Sequence, residues 1–228
     1  MLTLKVESTP MKTKALSVLY FLAGTAYIAF ENESSQWLSA GLKGLIMPLL
    51  IIIFIINFQN SLLSLLMLSG LVFSWAGDVI LQFSFLHGLA CFLLAQVMYL
   101  FVFSLTPGKN LIFSNRLWLI VPIALYGAGL ILFMYDDLGD MKLAVIVYAL
   151  VILSMFASAI NRLLKVNSIS YWLVLTGAAL FVISDSVLAV NKFSLKWNGS
   201  DIVIMSTYVI AQYLIITGYI RQTADRMV

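Results

Sequence analysis

The sequence predicts an all-α membrane protein, with eight transmembrane helices arranged as two parallel four-helix repeats around a central polar cavity. Three observations lead there. Of the 228 residues, 62% are apolar and 10% are charged, where a soluble domain carries about 25% charged residues. The apolar residues gather into runs close to the ~20 that cross ~30 Å of hydrocarbon. The third and seventh runs each carry an aspartate at the same spacing from a glycine. The chain therefore reads as a single transmembrane domain over residues 1–228, with halves of about 1–110 and 111–228.

The first span, 15–30, follows the basic residues Lys5, Lys12 and Lys14. Such a lead also opens signal peptides, but no small-residue cleavage site follows, so it is expected as a retained helix ending in a tight exposed loop at 31–36. The second, 38–56, holds Lys43 about one turn in, with Pro48 beyond it. The third, 62–81, carries Ser74 and Asp78; the fourth, 85–105, carries Gln96 and Tyr99. The fifth is expected at 117–134 and the sixth, with Tyr148, at 143–160. The seventh, 171–190, carries Ser184 and Asp185; the eighth, 202–220, carries Gln212. The connectors at 57–61, 106–115, 135–140, 161–170 and 191–201 hold the turn-formers and are too short for a soluble domain.

Lysine and arginine placement sets orientation. With the N-terminus inside, the inner segments hold Lys5, Lys12, Lys14, Lys109, Arg116, Arg162, Lys165, Arg221 and Arg226. The outer loops hold Lys142, Lys192 and Lys196 with most of the acids, Glu31, Glu33, Asp136, Asp137, Asp140 and Asp201. Both termini are then cytoplasmic, and the expected host is a bacterial inner membrane. A formal charge of +3 gives no reason to expect nucleic acid. Cys91 is the only cysteine and His87 the only histidine, so an intrachain disulfide, a cysteine cluster and a three-histidine zinc site are all excluded. No metal or other cofactor is expected.

The internal repeat gives the aspartates their meaning. Gly70 precedes Asp78 by eight positions, as Gly177 precedes Asp185, and Leu81 and Leu188 each follow by three. The next spans share Ala95-Gln96 and Ala211-Gln212. Halves of four spans enter from the same side, and parallel repeats meet at an axis along the membrane normal, where binding sites form. Asp78 and Asp185 are therefore expected at equal depth, about 5–10 Å below the outer interface, facing each other across a cavity.

A carboxylate inside a span costs ~2.5–3.5 kcal/mol on insertion scales and marks a functional site by default. A structural hydrogen bond is the plainer alternative. Lys43 has two readings: it holds one aspartate ionised while the other keeps its proton, an acid–base pairing, or it snorkels to the interface. Gln96 and Gln212 lie mid-span, where polar side chains commonly join helices. Ser74 shares a helical face with Asp78, whereas Ser184 adjoins Asp185 but points elsewhere. Tyr99 and Tyr148 bring hydroxyls into spans where packing is their common role. With Asp78 and Asp185 as catalytic candidates, the candidate substrate-binding set is Lys43, Ser74, Gln96, Tyr99, Tyr148, Ser184 and Gln212. The small residues Gly70, Gly77, Gly177, Ala178 and Ala179 suit close helix packing.

The ordered set of motifs resembles the YhhN family, whose animal members are lysoplasmalogenases. The resemblance rests on Lys43, on Ser74-Trp75-Ala76-Gly77-Asp78, and on Phe85-Leu86-His87-Gly88 with Phe92 and Tyr99. It continues through Val147-Tyr148, Gly177-Ala178, Phe181, Ser184-Asp185, Leu188-Ala189 and Phe193 to Tyr208 and Ala211-Gln212. Two departures stand out. Gly44 follows Lys43 where members often have proline, and Gln96 stands where many have histidine. The resemblance implies hydrolysis of the vinyl-ether bond of a lysoplasmalogen, yielding a fatty aldehyde and a glycerophospho-ethanolamine or -choline. The implied partners are a lysophospholipid substrate and bilayer lipids. A second class of function, a proton-coupled transporter of lipid or a small molecule, uses the same aspartates as a relay, and a structural membrane subunit is the non-catalytic alternative.

Overall fold

A computed structural model describes residues 11–30, 36–108 and 117–224. Lys5, Lys109, Arg116, Arg226, Glu31 and Glu33, on which part of the orientation argument rests, lie outside the described residues. So do the expected loop at 31–36, apart from Gln36, and the boundary between the halves near residue 110.

Among the described residues there are eight α-helices: α1 (Met11–Phe30), α2 (Gln36–Ile56), α3 (Leu62–Ile80), α4 (Phe85–Leu105), α5 (Ile120–Met134), α6 (Lys142–Ile160), α7 (Ser168–Phe193) and α8 (Ser200–Ala224). Each falls on an expected span. Ser61 caps α3 by accepting from the Ser64 N–H, and Asn167 caps α7 through the Ser170 N–H at 2.7 Å. Six helices are long and apolar enough to cross a membrane; α2 and α5 supply shorter apolar stretches, Gly41–Ile56 and Ile120–Met134. The chain is a multi-pass membrane protein. Its outward face agrees: Leu132 is 73% exposed, Leu143 74% and Leu125 67%, far more apolar surface than water tolerates on a monomer.

The fifth span departs most from expectation. The chain makes a 3₁₀ turn at Leu117–Leu119 before α5 begins. Pro122 has no N–H to bond the Trp118 carbonyl, so the α-helical ladder cannot extend back through that turn. The fifteen residues of α5 then rise only about 22 Å.

The helices pack largely in chain order: α1 on α2, α2 on α3, α3 on α4, α4 on α6, α6 on α7 and α7 on α8. The ring closes where α8 meets α1 and α2, while α5 lies outside it against α6 and α7. The α1 contact is specific, since the Tyr20 hydroxyl donates to the Val209 carbonyl at 2.9 Å. The small residues act as expected in packing. A Cβ on Gly177 would sit 2.8 Å from the Ala211 carbonyl oxygen, so α7 and α8 touch nearly backbone to backbone. A Cβ on Gly70 would strike the Tyr99 ring at 2.6 Å.

Arg162 is placed differently from the expected inner-loop charge. It is fully buried, 5.2 Å above the Phe103 ring, and donates to Gln222 Oε1 at 2.6 Å and Ser170 Oγ at 3.3 Å. Its stem follows α6, and the guanidinium reaches inward because acceptors on α7 and α8 offer it hydrogen bonds there.

Pro48 shapes the helix that carries Lys43. Lying inside α2, it cannot donate to the carbonyl of Gly44. That carbonyl instead accepts from the Trp75 indole N–H of α3 at 2.8 Å. Trp75→Phe is expected to orphan it and lower stability by about 1–3 kcal/mol, read as thermal unfolding in detergent. Adding Pro48→Ala restores an N–H to Gly44 and should recover part of the loss. A double variant no more stable than Trp75→Phe alone would remove this account of the Pro48 site.

Candidate functional site

The site is assembled from the ends of α2, α3, α7 and α8 that lie on one side of the bundle. Asp78 stands two residues before the end of α3 and is 1% exposed. Asp185 stands eight residues before the end of α7 and is partly exposed. The two helices overrun their aspartates by different lengths, so α7 projects about 9 Å further. Both carboxylates nevertheless line one cavity of about 60 Å³, together with Lys43, Ser184, Tyr208 and Asp201. A water needs roughly 10–15 Å³ of such space, so the cavity has room for several.

Lys43 is 8% exposed. It lines the cavity, with its ammonium 5.8 Å from the centre of the Tyr27 ring. Its charge acts on both carboxylates, and the carboxylates act on each other. Three carboxyls, those of Asp78, Asp185 and the exposed Asp201, border the cavity with this single ammonium, so the acids there outnumber the cation.

Each aspartate accepts a hydrogen bond from a tyrosine. The Tyr148 hydroxyl of α6 donates to Asp185 Oδ2. The Tyr208 hydroxyl of α8 donates to Asp78 Oδ2 at 2.8 Å. Behind Tyr208 runs a buried chain. Gln212 Nε2 donates to Ser74 Oγ at 3.0 Å and reaches Tyr208 at 3.4 Å, while Tyr99 donates to Gln212 Oε1 at 2.9 Å. Ser74, Tyr99 and Gln212 therefore lie behind the cavity wall and hold Tyr208 in place. They share no wall with the aspartates.

Gln212 joins helices as expected, but Gln96 does not. Gln96 is fully buried and faces the Tyr148 hydroxyl outside hydrogen-bonding geometry, leaving both amide atoms without a partner. The physical reason is that the Tyr148 hydroxyl is aimed at Asp185 instead. Ser184 lines the cavity, yet its hydroxyl donates to the Ile204 carbonyl of α8 at 2.9 Å. His87 is occupied with Ser84 at the start of α4, its Nδ1 2.7 Å from the Ser84 hydroxyl.

Two polar wall residues lie outside the set expected from sequence. Tyr208 stands four residues before Gln212, on the same helical face, which was the available signal. Asp201 is not a loop acid: it lies in the first turn of α8, at the cavity. Among the described residues, no group of three or more His, Cys, Asp or Glu side chains is placed to hold a metal. What the arrangement offers is the carboxyl pair of Asp78 and Asp185, the exposed Asp201 beside them, a cation and space for water beneath an apolar wall of Phe92, Leu188 and Met205. These are the parts of a general acid–base site.

The YhhN family pattern matches residues 38–219. The lysoplasmalogenase TMEM86B of Sus scrofa is 30% identical over 205 residues, which cover 89% of this chain and 84% of that protein. Its counterpart in Mus musculus is 33% identical over 207 residues, covering 89% and 82%. The lysoplasmalogenase TMEM86A of Bos taurus is 35% identical over 154 residues, covering 64% and 61%. No solved structure matches the chain.

Proposed function

Because the chain belongs to the YhhN family, we propose that it is an integral-membrane hydrolase that cleaves the vinyl-ether bond of lysoplasmalogens. The observation that carries the proposal is the cavity shared by Asp78, Asp185 and Lys43, found in a chain whose relatives are named lysoplasmalogenases.

The chemistry needs one proton donor, one anion and one water. A carboxylic acid protonates the β-carbon of the vinyl ether, and the electron pair of the double bond forms the new C–H bond. The positive charge then rests on the carbon bearing the ether oxygen, shared with that oxygen. A carboxylate beside this cation stabilises it. Water adds to the charged carbon and gives its proton to a carboxylate. The hemiacetal then collapses to the aldehyde and the glycerol hydroxyl. We assign the acid to Asp185, because it alone of the pair also borders the apolar cavities on either side of α7. Asp78, held by Tyr208 and the chain behind it, supplies the fixed negative charge. Lys43 balances that charge and offers the substrate phosphate a partner.

The two-repeat arrangement is part of the same proposal. Its support is that α3 pairs with α4 as α7 pairs with α8. The orientation with both termini cytoplasmic, which puts the cavity in the outer half of the membrane, is likewise proposed from lysine and arginine placement.

Purified protein in detergent or vesicles is expected to release fatty aldehyde from lysoplasmalogen. The corresponding alkyl-ether lysolipid, lacking the double bond, should yield none. Accumulation of intact lipid across a pH gradient, with no aldehyde, would instead favour the transporter.

A further inference from the structure

Asp185 and Tyr148 line three separate spaces between them. Asp185 faces the aspartate cavity, and both residues border an apolar groove between α5, α6 and α7 and a smaller apolar space between α4, α6 and α7. The groove measures about 50 Å³ and is walled by Gly127 and Leu130 of α5, Ala149 and Leu153 of α6, and Val182 of α7. Its floor is tight, since a Cβ on Gly127 would lie 2.3 Å from Leu153 Cδ1. At one end it meets the cluster around Met134, Leu138 and Val145.

The helix forming its outer wall is loosely docked. Only Gly127 and Met134 of α5 are buried, and a Tyr126 hydroxyl bond to Ser186 Oγ at 2.8 Å pins it to α7. A vinyl ether is joined to the glycerol of its lipid through one oxygen, so an acid that reaches its β-carbon must have an apolar space beside it for the hydrocarbon that follows, and Asp185 borders such a space.

We propose that the groove between α5 and the α6–α7 pair seats the alkenyl chain of the substrate, presents the first carbons of that chain to Asp185, and sets chain-length preference at Ala149. This inference rests on the lysoplasmalogenase reading. The groove contributes position more than affinity, because a chain moving from lipid to an apolar protein wall gains little from the hydrophobic effect. Its control over the reaction is steric: a chain that cannot lie in the groove does not bring its double bond to the acid.

Two measurements test this. First, aldehyde release is compared for lysoplasmalogens with short and long alkenyl chains. Ala149→Phe is expected to keep the short-chain rate within about threefold and to slow the long-chain rate at least tenfold. Leu130→Ala, added to it, should restore the long-chain rate by vacating space across the groove. Equal slowing of both chains, or no change in their ratio, overturns the groove while leaving hydrolysis intact. Second, an uncleavable alkyl-ether lysolipid with a photoreactive group in its chain is crosslinked to the wild-type protein, and the labelled peptides are mapped. Labels on Leu130, Ile131 or Leu153, suppressed by excess lysolipid, support the groove even if no aldehyde is ever released, in which case only the hydrolase reading falls. Labels confined to other helices overturn the groove.

Discussion

Asp185→Asn is expected to reduce aldehyde release at least a hundredfold, and Asp78→Asn to do nearly as much. Positioned proton transfer contributes typically 10²–10⁴-fold; the exchange of carboxyl for amide removes the proton at Asp185 and the stabilising negative charge at Asp78. The amide oxygen placed at either position can still accept the tyrosine hydroxyl that bonds the native aspartate, Tyr148 at Asp185 and Tyr208 at Asp78. Size and local packing are kept as well. The fold should survive, which a thermal unfolding curve in detergent checks. The two losses should not multiply, because acid and counter-charge act in one event and groups that work as a unit are strongly non-additive. A double variant as slow as Asp185→Asn alone is therefore expected. Retention of more than a tenth of the wild-type rate in Asp185→Asn would take the proton from another group and sink the assignment. Tyr148→Phe offers a graded comparison. It leaves the carboxyl in place but removes a donor that orients it, so the expected loss is smaller, about tenfold, one hydrogen bond's worth.

The fold was readable from the sequence because the bilayer imposes a simple rule: backbone polar groups are satisfied within helices of a set length. Runs of apolar residues therefore marked every helix. The ends were harder. Helix α7 runs to Phe193 and α8 begins at Ser200, beyond the apolar limits, because polar residues remain helical once they leave the hydrocarbon. Asp201 reads as a loop residue for that reason. Charge misleads at Arg162 too: the positive-inside rule counts a charge but does not say whether its side chain finds partners within the bundle.

The aspartates themselves were legible as two rare charges at matched spacing. Of their tyrosines, Tyr148 was among the candidates and Tyr208 was not, since a tyrosine in an apolar run has no signature separating a hydrogen-bond donor from a packing ring. Tyr148 and Tyr208 acquire their roles only through pairings across 37 and 130 residues of chain. Gln96 and Gln212 make the same point. Each follows an alanine at the matching place in its half, yet Gln212 holds a network together while Gln96 stands without a bond. Their neighbours decide, and those come from other helices.

Arg162→Ala is expected to be the most destabilising single change at the far end of the molecule, without touching the chemistry. The guanidinium is fully buried, and it connects α4, through the Phe103 ring, to Ser170 of α7 and Gln222 of α8. Hydrogen bonds from a charged group contribute about 1.5–3 kcal/mol each, and truncation also leaves the Gln222 oxygen without this donor in a dry environment. A loss of about 3 kcal/mol is the reasonable expectation, seen as a marked fall in unfolding temperature in detergent. Arg162→Lys should recover only part of it, because a compact ammonium on a shorter stem cannot lie flat over a ring as the planar guanidinium does. Ser170, which Arg162 holds, is fifteen residues before Asp185 on α7, about 22 Å along the helix. The rate per folded molecule should therefore remain near that of the wild type at a temperature where the variant is folded. Loss of turnover with an unchanged unfolding temperature would mean that this end of the bundle communicates with the aspartate cavity, and that Arg162 is more than a structural tie.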